Sequence, residues 1–313
     1  LQQVAGCRGL TVSTLHEARV FADHGFTDLT WAFPLVLGRL PEARELAERV
    51  TLRLVVDSAR AVEALEAADF PFHVWLKVDC GYHRAGVDPD SSLAMQLAER
   101  LDRSDRLRFD GLLTHSGHAY HAASLDELTA VAEQERSVME RAADRFRSRG
   151  LTVPAVSVGS TPAMSVVEDL TGVDEARPGN YVFYDKMQVD LGACGVGDCA
   201  VTVLASVVSS QPGAGHCVVD AGALAMSRDS GLGATEPPTM GEIFGDYPAG
   251  ILSRDTRLQA LSQEHGIVSA ALPVGASVRI LPNHSCLTVA CFDHCAAVRG
   301  ERVEDEWRIW NGR

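Results

Sequence analysis

The segment LRLVVDSARAVEALEAAD, residues 52–69, decides the fold class of this chain. Its first part, LRLVVD, is a short apolar run of the kind that forms a buried strand. The remainder, SARAVEALEAAD, has the amphipathic pattern of a helix. A strand followed directly by a helix forms a parallel βαβ unit when the pattern repeats. The segment therefore predicts an α/β fold.

The same alternation extends in both directions, from Gly6 to about Val189. It predicts seven strands, in the runs GLTVS, TDLTWAF, LRLVVD, FHVWLKVD, LRFDGLLTH, PAVSVG and EARPG. A (β/α)8 TIM-type barrel needs eight strands to close. The opening LQQVAG resembles the end of a helix, so we expect the first βα unit to lie upstream of Leu1. An open doubly wound sheet would also accommodate seven strands, but no Gly-rich dinucleotide fingerprint follows any of them.

The character of the sequence changes after about Cys194. From there the chain consists of short β-branched segments separated by Gly, Pro or Asn, which is typical of antiparallel strands. We predict a barrel domain over residues 1–193 and an antiparallel β domain over residues 194–313. The boundary falls in the segment VDLGACGVGD.

Composition excludes several classes of protein. The 313 residues carry a net charge of −14, and the only lysines are Lys77 and Lys186. Phosphate backbones require clustered Lys and Arg, so we expect no nucleic-acid partner. No apolar run approaches the roughly 20 residues that span a bilayer, so we expect no membrane partner. Eight cysteines without the spacing of a disulfide scaffold indicate the reducing cytoplasm.

Two predicted strand ends offer groups suited to a phosphate. Ser160 and Thr161 stand at the start of a predicted helix, and Gly179, Asn180 and Tyr181 offer backbone N–H groups and a phenol. A turn glycine with a capping hydroxyl would explain either segment alone. Their occurrence after consecutive strands favours a phosphorylated ligand, because that is where such barrels hold phosphates.

Two earlier strand ends carry other candidate side chains. Arg84 lies in CGYHRAGV, and THSGHAYH contains His115, His118, Tyr120 and His121. The three histidines could form a metal-binding helix face, but the glycine between them makes helical spacing doubtful. Stacking or hydrogen bonding by His115 or Tyr120 is the favoured interpretation.

The segment LPNHSCLTVACFDH, residues 281–294, places His284 two residues before Cys286. In a strand, residues i and i+2 point to the same face, so imidazole and thiol would project side by side. Both groups are good zinc ligands. The alternative is a buried small cysteine beside a hydrogen-bonded turn histidine.

Taken in order, these motifs resemble the D-serine dehydratase and D-threonine aldolase family, whose members are pyridoxal-phosphate enzymes with an alanine-racemase barrel and an appended β domain. The resemblance covers essentially the whole chain. The motifs that carry it are GLTVSTLHEA, LKVDCGYHRAGV, THSGHAY, SVGSTPA, RPGNYVFYD, VDAGALAMSRD, SQEHG and PNHSC. It implies pyridoxal phosphate and zinc as cofactors and a homodimer as the assembly.

The resemblance also implies residue roles. His284 and Cys286 correspond to the family's zinc pair, while Tyr120 and His115 are expected near the pyridine ring or the substrate, as catalytic residues. The predicted cofactor contacts are Arg84, Tyr120, Ser160, Thr161, Gly179, Asn180 and Tyr181. The family's Schiff-base lysine belongs to the strand expected upstream of Leu1, and neither lysine of this chain occupies its place.

The implied reaction is β-elimination from a D-β-hydroxy amino acid, such as D-serine to pyruvate and ammonia. A zinc ion on the β-hydroxyl would make hydroxide a better leaving group. The alternative is a metal-dependent D-threonine aldolase, which yields glycine and an aldehyde. The thiol of Cys286 favours zinc over harder ions and therefore the dehydratase. Other classes left open are a metal-independent racemase and a truncated, catalytically silent relative that binds these groups without chemistry.

Overall fold

A computed structural model describes residues 2–211, 213–232, 239–300 and 302–312. The chain divides into two compact units. Unit one comprises Leu1–Ala119, Asp126–Pro178 and Gly312–Arg313, and unit two comprises Tyr120–Leu125 and Gly179–Asn311. The domain boundary at residues 193/194 stays a prediction. No helix in the described part of the chain combines the length and the apolar character needed to cross a membrane.

Unit one contains a parallel sheet in which the strands follow their order in the chain. The strands are β1 (Leu10–Val12), β2 (Asp28–Pro34), β3 (Thr51–Val56), β4 (His73–Lys77), β5 (Arg108–Leu113), β6 (Val156–Val158) and β7 (Glu175–Ala176). Within the described residues, β1 and β7 each pair with one neighbour, so the sheet remains open. The prediction of seven consecutive parallel strands is confirmed.

Helices connect these strands. They are α1 (Leu15–Asp23), α2 (Leu40–Ala47), α3 (Ala59–Ala67), α4 (Ser92–Asp102), α5 (Leu125–Arg147) and α6 (Thr161–Val166). Thr14, Ser58 and Ser91 cap the first turns of α1, α3 and α4, because each side-chain oxygen accepts a backbone N–H bond that the helix leaves unused. Each cap contributes about 1 kcal/mol and fixes where its helix leaves the sheet.

The core of unit one lies between the sheet and its helices. Leu54 and Leu76 on the strands are fully buried, as are Val62 and Leu97 on the helices. Burying a side chain of this size stabilises the fold by roughly 1.5–3 kcal/mol. This packing holds the carboxyl ends of the strands in place.

Unit two contains a closed barrel of antiparallel strands in the order β10-β11-β12-β9-β8-β13, and a separate hairpin of β14 and β15. The strands are β8 (Val203–Ser210), β9 (Cys217–Val219), β10 (Gly241–Asp246), β11 (Ile251–Leu261), β12 (Gly266–Val268), β13 (Ser277–Pro282), β14 (His294–Arg299) and β15 (Arg302–Arg308). The helices are α7 (Lys186–Asp190), α8 (Ala223–Met226) and α9 (Ser285–Val289). The predicted antiparallel β domain is confirmed, and closure leaves its six barrel strands without free edges.

The prediction that residues 281–294 form a strand is wrong. Strand β13 ends at Pro282, His284 is the N-cap of α9 with φ of −136°, and Cys286 lies in the first turn of that helix. The break occurs at Asn283, whose amide donates to the carbonyl oxygens of Asp229 (3.1 Å) and Thr239 (2.7 Å). These contacts hold the chain in a bend that its β-branched composition does not reveal.

The opening segment has the hydrogen bonds of a helix end, as predicted. The Gly6 N–H donates to the Gln3 carbonyl at 3.0 Å, and Gly6 has a φ of +101°, as in the Schellman motif that ends many helices. The Cys7 N–H donates to the Gln2 carbonyl at 3.1 Å. Leu1 lies outside the described residues.

Candidate functional site

In unit one, polar side chains collect at the carboxyl ends of β4 to β7. Lys77 ends β4 and is 5% exposed, and His115 follows β5. Arg177, directly after β7, donates from Nε to Ser157 Oγ at 2.6 Å and from Nη2 to the Thr114 carbonyl. Because neighbouring parallel strands end at the same edge of a sheet, these groups share one edge.

Burial and mutual repulsion change the charges of this edge. Burial lowers the pKa of Lys77 to about 8, helped by the cationic Arg177 and Arg84. Burial likewise lowers the pKa of His115 to about 4, again with Arg177 nearby. The His115 Nδ1 lies 3.3 Å from the Gly159 carbonyl oxygen. His115 is therefore neutral at physiological pH and is suited to hydrogen bonding or stacking.

The predicted residue Arg84 is placed by an aromatic neighbour. Its guanidinium carbon lies 4.9 Å from the centre of the Tyr82 ring, a cation–π contact. The Tyr82 ring in turn lies edge-on to His115, with ring centres 6.4 Å apart. A Cβ on Gly117 would collide with the Tyr82 ring, so a glycine is needed there. Arg84 and His115 are thus brought together around one tyrosine.

The predicted phosphate residues of unit one are buried. Ser160 is 2% exposed and caps α6 by accepting from the Ala163 N–H at 3.4 Å, while Thr161 is 4% exposed. Gly159 has φ of +117°, which L side chains rarely adopt. The Ser160 hydroxyl also lies 3.4 Å from the Ser116 hydroxyl. The capping role that competed with phosphate binding is therefore present in the structure.

Sequence reasoning missed Glu135, which supports the loop after β6 that contains Gly159. The side chain of Glu135 on α5 is fully buried, and its Oε1 accepts from the backbone N–H groups of Ser116 (3.0 Å) and Gly159 (3.1 Å). One carboxylate thereby joins the loops that follow β5 and β6. Helical periodicity offered a signal, because Glu135 is the one charged residue among the buried positions of α5, which are Leu128, Ala132, Glu135, Met139, Ala142, Ala143 and Phe146.

In unit two, His284 and Cys286 lie beside each other. The His284 Nδ1–H donates to Asp229 Oδ2 at 2.9 Å, and an ionised carboxylate only accepts, so the bond sets the imidazole tautomer. Burial opposes the charged ring, but the hydrogen bonds to Asp229 and Cys286 raise the pKa of His284 to about 10. The Asn180 amide lies 3.7 Å from the Cys286 sulfur. With this pKa the ring is protonated at neutral pH, so a metal ion at Nε2 would displace one proton while Asp229 keeps the proton on Nδ1; the Cys286 thiol is exposed.

Of the other predicted residues of unit two, Asn180 lies beside this pair. Asn180 begins a single 3-10 turn, Asn180–Val182, with Gly179 as its N-cap and Tyr181 half-buried. Asn180 itself is 6% exposed, and its Oδ1 is buried with no hydrogen-bond partner among the described residues.

The catalytic candidates fall in different units, because Tyr120 belongs to unit two and His115 to unit one. Burial, with the nearby charges of Cys286 and Asp185, raises the pKa of Tyr120. Its phenol is therefore protonated at neutral pH and can donate a hydrogen bond.

A metal site at His115, His118 and His121 is not supported. Residues Gly117–His121 form a 3-10 helix, in which histidines do not line an α-helical face. In the ranges that the structure describes, no group of three or more His, Cys, Asp or Glu side chains is arranged to hold a metal ion.

These features define a class of protein: a parallel βα sheet with polar strand ends, followed by an antiparallel β barrel that carries a His–Cys pair. D-threonine aldolase from Filomicrobium marinum has this fold, with a TM-score of 0.85, 28% identity, and coverage of 99% of this chain and 83% of its own. The chain belongs to the family described as alanine racemase, N-terminal domain, whose model matches residues 1–186. Residues 200–298 match the model described as "Putative serine dehydratase domain".

Two relatives show the similarity over most of the chain. D-threo-3-hydroxyaspartate dehydratase from Delftia sp. strain HT23 is 37% identical over 99% of this chain and 86% of its own length. Its structure superposes with a TM-score of 0.92, covering 98% of this chain and 85% of its own, and a cysteine-to-alanine mutant of it is known in a metal-free form. D-serine dehydratase from Dictyostelium discoideum is 34% identical over 91% of this chain and 78% of its own.

Proposed function

We propose that the chain is a pyridoxal-phosphate- and zinc-dependent lyase that eliminates water from a D-β-hydroxy amino acid. The observation that carries the proposal is the placement of His284 beside Cys286, with the imidazole tautomer set by Asp229. Support comes from the relatives, which include dehydratases of D-serine and D-threo-3-hydroxyaspartate.

Zinc fits the donor set of unit two. A thiolate and an imidazole are the ligands that zinc prefers, and a carboxylate on the far ring nitrogen is the usual support of a zinc-bound histidine. Asp229 supplies that carboxylate to His284. Magnesium and calcium prefer oxygen ligands, so the sulfur of Cys286 selects against them.

Pyridoxal phosphate fits the buried polar groups near the strand ends. In unit one, Ser160 and Thr161 are buried hydroxyls that follow Gly159, whose φ is +117°, and we assign them to the phosphate. In unit two, the buried Asn180 Oδ1 lacks a partner among the described residues, which suits a polar ligand. Gly179 and Tyr181 stay predicted cofactor contacts.

When bound, the two cofactors supply an electron sink for the Cα carbanion and a Lewis acid for the departing hydroxide. The chain's own residues bind and orient the cofactors and the substrate. The Asp229 carboxylate holds the His284 ring so that Nε2 faces away from it. Tyr120 keeps its proton and can donate a hydrogen bond near Cys286. His115, neutral because of burial, acts as a hydrogen-bonding or stacking group of unit one.

Retro-aldol cleavage is the second candidate, because relatives of similar fold include a D-threonine aldolase. It would use the same metal to bind the β-hydroxyl of the substrate. The thiol at Cys286 favours zinc and so the elimination reaction.

Product analysis separates the two reactions. The protein expressed from its complete coding sequence is incubated with pyridoxal phosphate, zinc and each of D-serine, D-threonine and D-threo-3-hydroxyaspartate. We expect a 2-oxo acid and ammonia, loss of activity with a chelator, and recovery when zinc is added back. Glycine with an aldehyde would instead establish the aldolase, and activity unaffected by chelation would contradict metal dependence.

A further inference from the structure

Asp185 is a buried carboxylate at the start of α7 for which the proposed function gives no role. Its side chain is fully buried, and it forms no ion pair with any Lys, Arg or His of the described residues. Its Oδ1 accepts from the Gln188 N–H at 3.1 Å, which makes Asp185 the N-cap of α7. A helix cap needs only one carboxylate oxygen.

The second oxygen of Asp185 reaches the helix that carries the His–Cys pair. Oδ2 accepts from the Ser285 backbone N–H at 2.9 Å and from the Ser285 hydroxyl at 3.2 Å. Ser285 stands between His284 and Cys286 in the chain, so this contact fixes the peptide that joins them. The same oxygen accepts from the Asn180 amide at 2.6 Å.

Asn180 continues the connection to the thiol. Its Nδ2 lies 3.3 Å from the Ser285 hydroxyl and 3.7 Å from the Cys286 sulfur. Asp185, Asn180 and Ser285 therefore form one hydrogen-bonded group around the backbone of α9. Removing one member of such a buried group leaves the others without partners.

The position of Asp185 relates it to both ligand candidates. Its Oδ2 holds Ser285, the residue between His284 and Cys286, and it also holds the Asn180 amide, which reaches the Cys286 sulfur. Asp185 is therefore placed to set how the imidazole and the thiol face each other.

We propose that Asp185 is the positioning residue of the metal pair. It holds the Ser285 peptide so that the His284 imidazole and the Cys286 thiolate face one ion. The inference rests on the proposed function, because it concerns the same metal site. A role in helix capping alone would leave metal affinity unchanged.

The test compares zinc affinities by competition with a chromophoric chelator. Asp185→Asn keeps the shape but replaces one acceptor oxygen by an amide donor, which faces the donors of Ser285 and Asn180. The control is Asp190→Asn on the same helix, where the carboxylate of the exposed Asp190 pairs with the largely buried Lys186. We expect about 10–100-fold weaker zinc binding for Asp185→Asn, the effect typical of residues that support metal ligands, and an unchanged affinity for Asp190→Asn.

A spectroscopic measurement complements the measurement of zinc affinity. Cobalt substituted for zinc gives a sulfur-to-metal absorption band that reports the geometry of the Cys286 thiolate. We expect this band to shift or weaken in Asp185→Asn and to stay as in the wild type in Asp190→Asn. A purely structural role would leave the band in place.

The outcomes are distinct. If Asp185→Asn binds zinc as tightly as the wild type does, the positioning role is overturned and the metal site is not. No zinc binding by the wild type overturns the metal site and the positioning role together. If Asp185→Asn fails to fold, Asp185→Ser decides, because a serine hydroxyl keeps the helix cap but leaves the Ser285 N–H without its acceptor: about tenfold weaker binding supports the proposal, and unchanged binding overturns it.

Discussion

At the scale of single residues, hydrogen bonds set the chemical form of each candidate side chain. Asp229 fixes the tautomer of His284, burial keeps Tyr120 protonated, and burial beside Arg177 keeps His115 neutral. Sequence reasoning found His284, Tyr120 and His115 but missed Asp229. The reason is distance along the chain, because Asp229 and His284 are 55 residues apart and no local pattern joins them.

The lowered pKa of His115 predicts a pH dependence of stability. The folded state binds this proton with a pKa of about 4, whereas the unfolded chain binds it near 6.5. The unfolded state therefore gains protons first as the pH falls, and stability declines between pH 6.5 and pH 4 by an amount on the order of 3 kcal/mol. His115→Gln removes this contribution.

Urea unfolding of the wild type and of His115→Gln at pH 5 and pH 7 checks the prediction. The wild type should lose more stability between these pH values than the variant does. Carboxylates contribute equally to both proteins, so the difference reports His115. Equal losses would mean that His115 is exposed or charged in the folded state.

At the scale of elements, composition predicted the class of most segments but not the local bends. The strand–helix alternation of unit one follows from periodicity, because each helix buries one apolar stripe on the sheet. Helix α9 was not predicted, because its segment CLTVA is apolar and partly β-branched, as in a strand. The bend at Asn283 that precedes it depends on the carbonyl oxygens of Asp229 and Thr239. Tertiary hydrogen bonds here override local propensity.

Helix α5 supports the loops after β5 and β6 through Glu135, and this gives a second prediction. Glu135→Ala leaves the buried N–H groups of Ser116 and Gly159 without their acceptor. Each unsatisfied buried group costs about 1–3 kcal/mol, so we expect a loss of roughly 2–4 kcal/mol in unfolding free energy.

Glu133→Ala is the matched control on the same helix. Glu133 is half exposed and pairs with Arg136 at the surface, so its removal should cost less than about 1 kcal/mol. Denaturant unfolding of both variants measures the contrast. Equal effects of the two substitutions would show that Glu135 does not hold the loops.

At the scale of the whole molecule, the order of the parallel strands was predictable and the topology of the β barrel was not. Parallel βα units place consecutive strands side by side, so the order β1 to β7 follows from the sequence. In unit two, β9 pairs with β12 and β8 with β13, between segments far apart in the chain. Short β-branched runs do not specify such partners.

Zinc content after exhaustive dialysis shows whether His284 and Cys286 form a zinc site. Wild-type protein, Cys286→Ala and the control Cys291→Ala, an exposed cysteine just beyond α9, are compared by elemental analysis. We predict about one zinc ion per chain in the wild type and in Cys291→Ala, and little zinc in Cys286→Ala. Equal zinc in all three proteins, or none in the wild type, would show that His284 and Cys286 do not form a zinc site.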